Sequence, residues 1–151
     1  MHLRPHCGIF LQARGNLMND EQRREQGMRV RRAILGKQHV DRVVASTTEF
    51  NGDFQDFITR VAWGDIWSRP GLPPKTRRLL TIALMVALNR ADEFRMHVGA
   101  ALNDGVTQDE IKEILLHCAV YCGVPAANSA FHIALEVLAD NDNRAPSDTT
   151  T

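Results

Sequence analysis

The stretch RADEFRMHVGAALNDG, residues 90–105, spaces Arg90, Glu93 and His97 three and four residues apart. On a helix that spacing gathers them on one face. A glutamate one turn before a histidine can accept a hydrogen bond from the imidazole, hold the ring in one orientation and favour its protonated form. Such a histidine titrates near neutral pH and can deliver a proton to a reacting carbon. Arg90 adds a forked guanidinium suited to a carboxylate. A solvated face with a weak ion pair carries the same residue types, so spacing alone leaves both readings open.

Other chemistry is poorly served. His132, in NSAFHIALEV, is followed one turn later by Leu135 and Glu136, and faces either the core or a pocket. His117, Cys118, Cys122 and His132 are metal-ligand types, but no CxxC pair is present and no metal is expected. Cys118 and Cys122 sit in a helical run among Leu115, Leu116, Ala119 and Val120, where thiols tend to be buried and inert. With Cys7 they make three cysteines, an odd number without a disulfide framework, so reduced thiols and a cytoplasmic location are expected. GxSxG elbows, phosphate-binding glycine loops and HExxH are all missing from the sequence.

The elements that must position these residues are helical. Apolar positions recur at helical spacing from Asp20 to Leu35 and from Asp53 to Trp67, with a short segment from His39 to Ala45 between them. SRPGLPPK breaks the chain at residues 68–75. The run from Lys75 to Asn89 contains LLTIALMVAL and is apolar nearly all round, which predicts the buried centre of a bundle. Ala91 to Asn103 follows with an apolar stripe of Phe94, Val98, Ala101 and Leu102. Thr107 and Glu110 form a capping box for a helix to Tyr121, and a last helix runs from Ala126 to Ala139. The expectation is an all-α, single-domain bundle of about six to seven helices.

With 151 residues, 44% of them apolar, the chain can build one domain with a real core. Its formal net charge is zero, so no global field favours nucleic acid or an anionic membrane. The basic run RVRR, residues 29–32, reads as a solvated face balanced by Asp20, Glu21 and Glu25. No apolar run approaches the roughly 20 residues that span a bilayer. Residues 1–18 read as a leader or start-site extension, 19–140 as the domain, and 141–151 as a polar tail.

Four pieces occurring in order carry a resemblance: the WSRPGL loop, the KTRRLLTIA helix start, HVGAALNDGVTQDEI and YCGVPAANSAFH. Residues 63–138 as a whole are similar to the carboxymuconolactone decarboxylase family, whose fold is that of alkylhydroperoxidase D. In that peroxidase branch a CxxCxxxH motif supplies redox thiols. Aligning its histidine on His97 puts Arg90 and Glu93 at the two cysteine positions, and Arg78 where that branch places a glutamate. A disulfide cycle cannot run on arginine and glutamate.

The resemblance implies cofactor-free decarboxylation of 4-carboxymuconolactone to 3-oxoadipate enol-lactone during the breakdown of aromatic acids. The lactone ring is its own electron sink, so no cofactor is required in principle. The protein must bind the side-chain carboxylate, stabilise the developing enolate and deliver a proton. The expected roles are His97 as proton donor oriented by Glu93, His132 as enolate donor or second acid, and Arg77 and Arg90 as carboxylate clamps. The family also implies a homo-oligomer, a trimer or hexamer, and the face bearing Trp63 and Trp67 is one expected contact. Two alternatives remain: a thiol-dependent peroxidase cycling Cys118 and Cys122, and a non-catalytic helical oligomer.

Overall fold

The computed structural model describes residues 18–143, which form seven α-helices and one π-helical segment, with no strand among them. Residues 1–17 of the expected leader and 144–151 of the expected tail lie outside the described residues. Helix α1 spans Asp20–Leu35. It starts on a capping box in which Asn19 accepts from the Gln22 amide at 2.8 Å and Gln22 accepts from the Asn19 amide at 3.0 Å. It stops at Gly36, whose φ of 87° suits glycine and turns the chain directly into α2, Lys37–Ala45.

Helix α3, Glu49–Ile58, passes without a break into a π-helical segment, Thr59–Trp67. That segment lies against α1 at contact distances that only glycine permits. A Cβ on Gly27 would meet the Thr59 carbonyl oxygen at 1.9 Å, and one on Gly64 would meet the Arg23 carbonyl oxygen at 2.5 Å. Arg31 fills the same seam: it is buried, and it donates to Thr59 Oγ1 at 3.2 Å and Gln55 Oε1 at 2.9 Å. The sequence expectation for RVRR is therefore corrected at Arg31, whose two terminal nitrogens bond side-chain oxygens while its Nε is buried without a partner.

The remaining helices are α4 (Pro74–Ala87), α5 (Ala91–Asn103), α6 (Gln108–Tyr121) and α7 (Val124–Asp142). Proline opens α4, where its missing N–H costs nothing. The capping box expected for α6 is present: Thr107 Oγ1 accepts from the Glu110 amide at 3.2 Å, and Glu110 accepts from the Thr107 amide at 2.9 Å. The core lies among these four helices, with Ile82, Phe94, Val98, Ile111, Leu115 and Val137 at its centre.

Two packing expectations are corrected. Trp63 is buried within the chain, 5.1 Å from Trp67 ring to ring, so it does not present a partner face. Helix α4 is not buried all round: Ile82 and Val86 point inward, while Leu80, Leu84 and Leu88 on the opposite side are each half exposed or more. Its apolar excess over what one core needs is carried on the outside.

Candidate active site

Helix α5 supplies the spine of the site. Glu93, His97 and Asp104 fall on one face, because steps of four and seven residues return to nearly the same angle. Phe94, Val98 and Ala101 hold that helix by their burial in the core. His97 stands at the edge of the core, half-buried, and Glu93 is exposed.

The decisive neighbour comes from α4. Arg78 shares its stripe with Ile82 and Val86 and is only 2% exposed. It donates to the Ile34 carbonyl at 2.6 Å and more loosely to the Ala33 carbonyl at 3.4 Å, both at the end of α1. It also pairs with Asp104 Oδ2 at 3.0 Å, and its Nε is buried without a partner. One guanidinium thus ties α1, α4 and the end of α5 together, and places a positive charge beside the His97 face.

Burial, and then the Arg78 charge, hold the His97 imidazole below its ordinary value of 6.5. Glu93 pulls in the other direction without overturning them, and His39 adds a further push downward. Glu93 does favour the protonated form, as its spacing predicts, but burial and Arg78 outweigh it, so the neutral imidazole is the resting form near pH 7. The expected hydrogen bond between the two side chains is not formed. His39, on α2, is itself held below 6.5 by burial, then by Arg42 and Arg31. Two neutral histidines and a buried arginine thus converge where α1 turns into α2.

The other residues singled out from sequence lie elsewhere. Arg77 turns away from Arg78 and donates to the Arg69 carbonyl at 3.1 Å, on the loop before α4. Arg90 is exposed at the start of α5 and lines a small depression with Met85, Ala126 and Ser129. His132 is exposed, on the side of α7 opposite Ala127, Ala130 and Ala134. Within one chain the structure brings together His97 and Glu93, and leaves His132, Arg77 and Arg90 outside. Sequence reasoning missed Arg78 and His39 as site residues. A signal existed for Arg78: positions 78, 82 and 86 repeat every four residues, which sets an arginine on a buried stripe.

Cys118 is buried on α6, and burial, with Cys122 beside it, pushes its thiol above the usual range. That opposes the thiolate that peroxidase chemistry requires. His117 is exposed and rests on the Tyr121 ring at 4.6 Å. Among the described residues no cluster of three metal-ligating side chains forms.

Residues 52–136, from α3 into α7, match the model of the Carboxymuconolactone decarboxylase family. The chain belongs to this family. It is 57% identical over 123 residues to a 4-carboxymuconolactone decarboxylase of Acinetobacter baylyi, covering 82% of this chain and 92% of the relative. A nitrosuccinic acid decarboxylase, npaB, of Metarhizium robertsii is 39% identical over 125 residues, covering 81% of this chain and 87% of the relative. A 4-carboxymuconolactone decarboxylase of Pseudomonas putida is 54% identical over 48 residues, which is 32% of this chain and all of that sequence. Arg78, Glu93 and His97 all lie inside the family match, whereas α1 and α2, with His39, precede it.

Proposed function

We propose that this chain decarboxylates 4-carboxymuconolactone to 3-oxoadipate enol-lactone without a cofactor. The observation that carries the reading is 57% identity, over 82% of this chain, to a decarboxylase of that substrate. The placement of His97 beside a buried Arg78 supports it chemically.

In the reaction the bond between the ring carbon and its carboxylate breaks. Its electron pair moves through the ring double bond onto the lactone carbonyl oxygen, and carbon dioxide leaves. A proton then adds to the ring carbon beside the carbonyl, and one proton is taken up from water overall. His97 carries that proton. Because its charged form is disfavoured by burial and by Arg78, it is a stronger acid once protonated. Glu93 moderates that effect through its charge, and Arg78 is a positioning residue that fixes the charge behind His97. The arginine clamp expected at Arg77 or Arg90 has no support from their positions in one chain.

The reading extends to a homo-oligomer, a trimer or hexamer, in the cytoplasm. Phe50, Phe54 and Phe57 on α3, Leu80 and Leu84 on α4, and Val120 and Tyr121 on α6 are all exposed, more apolar surface than a monomer usually shows. No described helix is long and apolar enough to cross a membrane.

The test is carbon dioxide release from freshly made lactone, in chelator and without thiol, by the wild type and by His97→Ala. The wild type releases it, and the variant slows by about 100-fold or more. A folded wild type that releases none overturns the reading.

A further inference from the structure

An open cleft of about 470 Å³ lies between the α1–α2 corner, α5 and α7. That is the size of a small-molecule site. Its apolar surface comes from Leu35, Met96 and Val137, and Gly99 and Ala100 keep the α5 wall low. Met96 precedes His97 and Ala100 lies one turn beyond it, so the cleft borders the His97 face.

The charges in the cleft are unevenly paired. Arg95, on α5, is bonded to Glu136 of α7. Arg42, on α2, is exposed, lines the cleft beside His39, and has no ion-pair partner among the described residues. Asp92 and Asp140 line the α5 and α7 walls, so an entering anion is repelled there and drawn towards α2.

Chemistry supplies the occupant, given the decarboxylase reading on which this inference rests. Nitrosuccinic acid and 4-carboxymuconolactone, the acids named for two relatives, each carry two carboxylates. One leaves as neutral carbon dioxide and the other stays. An arginine clamped on the departing group stabilises the ground state more than the transition state and slows the reaction. The guanidinium that binds substrate must therefore hold the carboxylate that stays.

We propose that this cleft binds the retained carboxylate arm of a dicarboxylic acid, with Arg42 as its ion-pair partner and His39 as a hydrogen-bonding neighbour. The ring then lies along α5 towards His97. Helix α2 stands outside the part of the chain that matches the family model. Proton delivery from α5 and the choice of acid at α2 are thus served by different segments, and Arg42 is a specificity-determining residue.

The probe is a butenolide carrying only the acetate arm, with hydrogen in place of the departing carboxylate, compared with its neutral amide by calorimetry. Wild type binds the acid more tightly than the amide. Arg42→Gln weakens the acid by about 10–100-fold and leaves the amide unchanged, while Arg42→Lys recovers part of the loss. With the full substrate, Arg42→Gln raises KM and changes kcat little. Equal binding of the acid by wild type and Arg42→Gln, or equal loss for acid and amide, overturns the inference. Because binding needs no turnover, an inactive wild type discards the proposed reaction while the cleft is still tested.

Discussion

The half of the chain from α4 to α7 is packed with aliphatic and aromatic side chains: Ile82, Phe94, Val98, Ile111 and Leu115 are all at most 2% exposed. The arm formed by α1 and the π-helical segment is packed differently. Its seam contains Gly27, Gly64, Thr59 and the guanidinium of Arg31, and the arm's large buried apolar groups are Trp63 and Ile34. The first half gains stability from area removed from water and tolerates small shifts. The second depends on backbones touching, where one added methyl has nowhere to go. The site lies where the two meet, and Arg78 spans the join from α4 to the end of α1.

That contrast can be broken from either side. The largest effect is expected for Phe94→Ala, which opens a cavity in the α4–α7 core and costs about 3–5 kcal/mol in urea unfolding. Tryptophan fluorescence and helical circular dichroism should then shift together, because the whole fold depends on that core. Gly27→Ala should cost less, about 1–3 kcal/mol, but act locally. Both tryptophans of the chain, Trp63 and Trp67, lie in the arm, so their emission should move at lower urea than the loss of helix. Coincident transitions in that variant would mean the arm and core are one cooperative unit.

Smaller effects sharpen the picture. Thr107→Ala removes the oxygen that caps α6 and should cost about 1 kcal/mol, with no change in tryptophan emission at zero urea. His97→Gln tests the join itself. The folded chain binds a proton at His97 less readily than the unfolded chain, whose histidine has an ordinary value near 6.5. Stability therefore falls as pH drops below about 6.5, until the lower folded value is passed. The glutamine variant should lose less stability over that window, leaving the smaller slope due to His39, which is shifted the same way. An unchanged slope would show that His97 is not desolvated in the folded state.

Helix existence was largely legible, because the periodicity of apolar residues, the Thr107–Glu110 box and the prolines at 73 and 74 act within a few residues of chain. The π-helical turn after Ile58 was not, since TRVAWGDIW carries ordinary helical spacing and the widening comes with the backbone contact to α1. At the site, Glu93 and His97 could be found from local spacing. Arg78 was visible only as an arginine on an apolar stripe, and His39, contributed by α2, had no local signal at all.

The sequence by itself therefore determined that the chain is all-α, where most helices begin and end, and that α5 presents Glu93 and His97 on one face. These depend on interactions within a turn or two, which the order of residues encodes directly. Only the tertiary structure decided that His97 rests neutral, that Arg78 rather than Arg77 or Arg90 stands near it, and that α2 brings His39 and Arg42 to the same corner. Burial and charge act through space, and residues 39, 78 and 97 become neighbours only when three helices pack.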